Sequence, residues 1–165
     1  MESKQQIALS VVLAVGAILA SSIPPRVNGQ TRPVLHDLSA QVTIFENHIK
    51  DIRAMENGLP NPVDKAVLQD LEHSAVTAED RLYAANAALE MYDSISSQTD
   101  RAKARRIVKE KFLDYYSWAF DQEVTRTTGE LTFLTGPAAA ALGLQMKDDM
   151  RAAKERLDAI ATSLQ

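Results

Sequence analysis

The chain has 165 residues, a formal net charge of −4 at pH 7 and no cysteine. The absence of cysteine excludes disulfides, thiolate catalysis and cysteine-ligated zinc or iron–sulfur sites. The acidic balance argues against nucleic acid as a general ligand, because the phosphates of nucleic acids require a basic face.

An uncharged apolar run from Ile7 to Ile23, closed by two prolines, predicts an N-terminal targeting or anchoring segment. Its densest part, residues 7–20, fits the apolar core of a cleaved signal sequence, which has about 7 to 15 residues. The whole run approaches the roughly 17 to 25 residues that a transmembrane helix needs. We therefore expect residues 1–22 to be a signal sequence or a membrane anchor. The protein would then be exported to the periplasm or the extracellular space, either secreted or anchored by this helix.

The charges that flank the apolar run leave its orientation open. Glu2 and Lys4 balance each other before the run, whereas Arg26 and Arg32 follow it. By the positive-inside rule, these arginines favour the inverted arrangement, with the C-terminal domain in the cytoplasm. A reading in which the run is a buried helix of the fold also stays open. Export is the interpretation that we favour.

The chain after the apolar run divides into a linker and one domain. Residues 23–33 contain three prolines and a glycine, which interrupt regular structure and predict a flexible linker. Residues 34–165 have the length of a single domain. Their apolar residues recur in steps of three and four and show no sustained two-residue alternation. The sequence therefore predicts an all-α fold, an antiparallel four-helix bundle with long coiled-coil-like helices.

The first two predicted helices have recognisable ends. The first ends near Gly58, which can adopt a left-handed cap. The second begins with Asn61 as its cap, Pro62 in its first turn and Asp64 at the positive end of its dipole, and it runs to about Ile95. The predicted core positions are Leu35, Leu38, Val42, Phe45, Ile49 and Ile52 in the first helix, and Leu68, Leu71, Ala75, Ala78, Leu82, Ala85, Leu89 and Tyr92 in the second.

The third and fourth predicted helices are separated by a glycine-containing break. Ser97 and Asp100 form a capping pair that predicts the start of the third helix. If this turn fails, the second and third helices would merge into one rod. Residues 127–129 predict the end of the third helix, and Gly136 with Pro137 predict the start of the fourth. The predicted core positions are Ala104, Val108, Phe112, Tyr115 and Ala119 in the third helix, and Leu142, Met146, Met150, Ala153, Leu157, Ile160 and Leu164 in the fourth.

The residues that could carry chemistry form no complete catalytic or metal-binding pattern. Only Asp70 and His73 have the spacing of a carboxylate–histidine metal pair, because the other two histidines lack an acidic residue three positions earlier. No nucleophile motif or phosphate-binding glycine loop is present. We therefore expect no enzyme activity and no metal or other cofactor. Asp148 and Asp149 are expected to lie on a solvated charged face.

Basic and aromatic residues are concentrated in the third helix. Its first half carries six cations, with Glu110 as the single acid between Arg101 and Lys111, and its centre holds five of the nine aromatic residues of the chain. A basic face beside exposed Tyr or Trp can bind an acidic protein or an anionic membrane surface. The residues expected to form this interaction surface are Arg101, Lys103, Arg105, Arg106, Lys109, Tyr115, Tyr116 and Trp118.

The same residues also allow a structural explanation. The cations could pair with the acidic second helix or remain solvated, and the aromatic rings could form a core layer with residues 131–135 folded over Trp118. Functionally, the sequence favours a non-enzymatic, exported or membrane-tethered interaction module that binds another protein or a second copy of itself. The alternative is a helical sensor or ligand-binding bundle that holds a small molecule, metal or haem between its helices.

Overall fold

The computed structural model describes residues 36–164, and all regular structure in this range is helical, as predicted. Helix α1 spans Ser39–Glu56 and helix α2 spans Pro62–Ser94. A continuous helical rod and a final helix follow. Their parts, in order, are α3 (Gln98–Val108), a π-helical turn (Lys109–Leu113), α4 (Asp114–Glu130), a 3₁₀ turn (Leu131–Phe133) and α5 (Pro137–Ser163).

The signal or anchor segment, the linker and the first predicted core residue, Leu35, lie outside the described residues. Between residues 36 and 164, no helix combines the length and apolar character that membrane crossing requires.

The core is built from the apolar stripes of α1, α2 and α5 and from the buried side of the helical rod between α2 and α5. Every position predicted to be buried in α1, α2, α5 and their caps is buried, Leu35 aside. Phe45 of α1 meets Phe120 of α4 across this core, with ring centroids 6.1 Å apart. Burying one large apolar side chain contributes about 1.5–3 kcal/mol, so the shared core is the main source of stability.

The starts of α2 and α3 follow the predicted caps, whereas Gly58 does not adopt the left-handed cap predicted for the end of α1. The Asn61 side chain accepts a hydrogen bond from the Val63 backbone N–H at 2.9 Å, and Pro62 opens the helix. At the next start, the Ser97 side chain accepts from the Asp100 N–H at 3.3 Å. The chain turns between Ser94 and Ser97, so the alternative of one merged rod is wrong.

The third rod departs from the prediction at its π-helical turn. The Asp114 N–H bonds to the carbonyl of Lys109, five residues back instead of four, so the turn holds one additional residue. The buried stripe after the turn is therefore displaced toward Leu113 and Phe120, although the predicted core positions Ala104, Val108, Phe112 and Ala119 are all buried. Leu113 and Phe120 are fully buried, whereas Tyr115, predicted as a core residue, is 54% exposed. The prediction for Tyr115 is wrong because it assumed an uninterrupted α-helical period.

The predicted break at residues 127–129 is also wrong, since α4 continues to Glu130. Thr127 is fully buried, with its hydroxyl 3.9 Å from the Met150 sulfur of α5. The Thr128 hydroxyl donates to the Val124 carbonyl one turn earlier at 2.7 Å. Because these hydroxyl groups are satisfied within the helix or against α5, the helix does not end at them.

Asp64 connects the start of α2 to the start of α5. This buried carboxylate accepts hydrogen bonds from the backbone N–H groups of Thr135 at 2.8 Å and of Gly136, the α5 N-cap residue, at 3.0 Å. The Thr135 N–H bond is the largest influence on the pKa of Asp64; burial opposes it, but together with the Thr135 hydroxyl and the Gly136 N–H it lowers that pKa. Asp64 lies in the first turn of α2 as predicted, but it also connects this helix to the start of α5, which the sequence did not indicate.

Replacing Asp64 by Asn should destabilise the protein at neutral pH and matter less in acid. Because the pKa of Asp64 is depressed in the folded state, its contribution to the free energy of unfolding is present above the unfolded-state pKa and is lost as pH falls through the folded-state pKa. Urea unfolding of wild type and Asp64→Asn should therefore show a difference that shrinks on acidification. Asp70→Asn, on an exposed position of α2, serves as the control. A pH-independent difference would contradict this role.

The π-helical turn predicts that truncating Leu113 destabilises the protein strongly and that truncating Tyr115, two residues later, has little effect. Leu113→Ala should reduce the free energy of unfolding by about 2–5 kcal/mol because it removes a fully buried side chain. Tyr115→Ala should change that free energy by no more than about 0.5 kcal/mol, because the ring lies largely in water. Chemical denaturation measures both values. The reverse order would show that the helix has a regular α-helical register.

Candidate interaction surface

Two aromatic rings project from the outer face of α4. Tyr115 and Trp118, three residues apart and so on one side of the helix, have ring centroids 6.0 Å apart. The Trp118 side chain is 58% exposed. The alternative in which residues 131–135 fold over Trp118 is wrong, since Leu131 and Leu134 pack against the core instead. The two exposed rings leave a sizeable apolar patch in contact with water.

Tyr116 has a different position from its two neighbours, although the sequence placed all three on one surface. It is half-buried and packs edge-on against Phe112, with ring centroids 6.0 Å apart. Burial is the main cause that raises its pKa. The Tyr115 ring lies 5.6 Å from that of Tyr116, centroid to centroid. Tyr116 therefore supports the exposed pair from the core side.

Arg101 also separates from the predicted surface. Its side chain is half-buried at the start of α3, where Nη2 donates to the Asp93 carbonyl of α2 at 3.3 Å. The guanidinium carbon lies 5.6 Å from the centroid of the Tyr92 ring. Arg101 thus belongs to the junction between α2 and α3.

The other predicted cations lie on the exposed or partly exposed faces of the third rod. Arg105 has no ion pair with the described residues 36–164, and neither does Lys111, which lies one turn before Tyr115. Lys111 was missing from the predicted surface, although its four-residue spacing from Tyr115 would have indicated it. The remaining cations pair with acids of their own rod: Lys103 with Asp100 at 3.8 Å, Arg106 with Glu110 at 3.4 Å and Lys109 with Asp114 at 2.7 Å.

These ion pairs do not lock the cations in place. Pairs at exposed sites contribute only about 0–1 kcal/mol, because water and salt screen them. None of these pairs reaches the acidic residues of α2, so that structural explanation of the basic run is wrong for them. The cations of the rod can therefore exchange their present carboxylates for those of a binding partner.

Two of the three histidines, His36 and His48, bond to carboxylates of helices distant in sequence, and the third is exposed. His36 bonds to Asp93 of α2, with Nδ1 3.1 Å from Oδ1, and His73 is exposed beside the exposed Asp70. Within residues 36–164, no three His, Cys, Asp or Glu side chains lie close enough together to bind a metal ion.

The expectation that Asp149 lies on a solvated charged face is wrong. Its Oδ2 lies 2.7 Å from Nε2 of His48, which is buried on α1. The adjacent Asp148 is exposed and pairs with Arg151 of its own helix at 3.4 Å. Two neighbouring carboxylates therefore have different roles, one between helices and one in solvent.

Comparison of the chain with models of protein families, with curated proteins and with solved structures gives no match.

Asp149→Ala and Asp148→Ala form a matched pair that tests this difference. Asp149→Ala leaves the buried His48 ring nitrogen without its partner and should reduce the free energy of unfolding by about 1–3 kcal/mol. Asp148→Ala should change it by no more than about 0.5 kcal/mol. Equal effects in urea denaturation would contradict the contact between α1 and α5.

Proposed function

We propose that the protein is a non-enzymatic interaction module, exported or membrane-tethered, that binds an acidic protein partner on the outer face of the third rod. The exposed Tyr115–Trp118 pair is the observation that carries this proposal. Aromatic side chains of this size bury roughly 150–250 Å² each when covered, and Trp and Tyr are frequent hot spots of protein interfaces. The core closes without these two rings, so their apolar area is available for a partner.

Charge supports an acidic partner. Lys111 lies one turn before Tyr115, and Arg105 lies further back on the same rod. Neither has an ion pair in the described part of the chain, and the pair of Arg106 with Glu110 is weak. A partner carboxylate beside the Tyr115–Trp118 pair would gain from the nearby Lys111, while Arg105 extends the basic face to which a longer acidic partner would bind. Complementary charge mainly accelerates association and makes it sensitive to salt, while the aromatic rings supply most of the affinity.

We propose that the domain carrying this surface is an antiparallel four-helix bundle. The Asp64 contacts join the starts of α2 and α5, and the His36–Asp93 contact joins the start of α1 to the end of α2. These contacts support α2 and α5 running in one direction and α1 in the other, as in an up-down-up-down bundle. Such packing would hold the third rod rigidly and reduce the entropy lost on binding.

Export or tethering is proposed from the apolar run Ile7–Ile23, with residues 1–22 as signal or anchor and 23–33 as linker to the domain of residues 34–165. Intact mass and cell fractionation of the expressed full-length chain test it. We expect either a shortened exported chain, or an intact membrane-bound chain whose domain is open to protease added from outside. A full-length chain that remains in the cytosol would contradict export.

Photo-crosslinking in the cells that produce the protein tests the docking surface. A photoreactive phenylalanine analogue in place of Tyr115 should give an adduct with a specific protein, because this ring lies at the proposed interface. The same analogue in place of Tyr83, a 70% exposed residue of α2, is the matched control and should give none.

Two further variants make the crosslinking decisive. Trp118→Ala, combined with the photoreactive analogue at position 115, should reduce the yield of the crosslinked adduct about tenfold or more, because it removes a hot-spot ring. Joint replacement of Arg105 and Lys111 by Gln should make the yield of this adduct less dependent on salt concentration. Equal adducts at positions 115 and 83, or adducts with lipid alone, would contradict a protein-binding surface on the third rod.

A further inference from the structure

A cleft opens at the end of the domain where α1 and α3 begin and α2 and α5 end. Its volume is about 570 Å³, within the range of roughly 300–1,000 Å³ that is usual for small-molecule sites. His36, Asp93, Arg101 and Arg156 supply its charged and titratable lining, and Ala159 and Ile160 of α5 supply apolar lining. The cleft is distinct from the Tyr115–Trp118 pair and includes residues of α2, α3 and α5 and of the segment before α1.

The single carboxylate among the described lining residues is already engaged. Both oxygens of Asp93 lie within 3.3 Å of His36 Nδ1, and Oδ2 also accepts from the His36 backbone N–H at 3.3 Å. Asp37, on the same segment as His36, accepts hydrogen bonds from the side chain and backbone of Ser39. These bonds, and to a smaller extent the charge of Arg156, lower the pKa of Asp37, but Asp37 and Arg156 form no ion pair. Neither Asp93 nor Asp37 therefore forms an ion pair with the arginines of the cleft.

Arg101 and Arg156 form no ion pair with any residue from 36 to 164, in contrast to most arginines of that range. Arg101 is held in position, because Nη2 donates to the Asp93 carbonyl and its guanidinium lies against the Tyr92 ring. Its Nε is nevertheless buried and has no hydrogen-bond acceptor among residues 36–164. A buried N–H without an acceptor is unfavourable, and a carboxylate is the acceptor whose planar geometry matches a guanidinium.

We propose that this cleft binds a small organic carboxylate, with the carboxylate between Arg101 and Arg156 and a short apolar body against Ala159 and Ile160. Three features act together: a preorganised guanidinium with an unused buried donor, a second arginine of the lining that has no ion pair within the described range, and an apolar wall. The bound carboxylate supplies the missing acceptor at Arg101 Nε, and its negative charge reduces the repulsion between the two guanidinium groups. The site thus gives the domain a ligand of its own, independent of the partner that docks on the third rod.

NMR of the full-length chain, purified in a mild detergent, tests the cleft directly. The probe is benzoate, with benzyl alcohol as its uncharged counterpart and inorganic phosphate as an anion without an apolar body. Benzoate should produce a saturable shift of the Arg101 Nε–H resonance, and benzyl alcohol should produce none. A response to phosphate as strong as that to benzoate, or an equal response to benzyl alcohol, would overturn the assignment.

The variants separate binding from folding. Arg156→Gln removes the guanidinium charge and should weaken benzoate binding about tenfold or more. Because Arg156 is exposed, the spectrum of the unliganded protein should be preserved. Arg101→Lys keeps the charge but loses the Nε donor and should weaken binding similarly. Arg151→Gln, on the same helix but outside the cleft lining, is the matched control and should bind like wild type. Unchanged affinity in both cleft variants, or absence of any saturable shift in wild type, would overturn the proposal.

Discussion

One additional residue in the π-helical turn Lys109–Leu113 determines which side chains of the third rod are buried. In an uninterrupted α-helix, the residues that continue the stripe of Ala104 and Val108 would bring Tyr115 to the core. The extra residue rotates the helix after the turn, so that Leu113 and Phe120 enter the core while Tyr115 and Trp118 face water. Short π-helical segments often lie at functional sites, because they reorient side chains without ending the helix. The exposed aromatic pair and the function proposed for it both depend on this turn.

Apolar burial alone does not fix how the helices align, because periodic stripes of Leu, Ala and Met can slide past each other with little loss of buried area. A few polar contacts between helices supply that alignment. The Asp64 carboxylate fixes the starts of α2 and α5, and the His48–Asp149 pair at 2.7 Å and the Ser117–Asp158 bond at 2.5 Å connect α5 to α1 and α4. Each joins residues far apart in sequence, so an unmatched partner would be left buried in any shifted register. The basic and aromatic residues of the outer face take no part in this alignment and remain available for binding.

Local sequence patterns sufficed for much of the fold. The stripes of α1, α2 and α5 and the starts at Asn61, Ser97 and Gly136 were all predictable, because helical periodicity and caps involve residues close in sequence. The π-helical turn was not, since no residue type marks it, and Tyr115 was therefore misplaced. The end of α4 was missed because Thr127 is stabilised by Met150 of α5, a contact that the local pattern does not contain. For the same reason, Asp149 was expected in solvent, and Arg101 was grouped with cations from which the fold separates it.

Trp118 is the single tryptophan of the chain, so its fluorescence reports on the outer face of the third rod without any labelling. Acrylamide quenching of the dilute full-length protein, compared with the same protein in denaturant, tests most directly whether the π-helical turn directs this side chain to solvent. We predict an emission maximum close to that of the denatured chain and quenching nearly as strong. A blue-shifted emission that acrylamide barely quenches would place the indole in the core, and would contradict both the register of α4 and the interaction surface built on it.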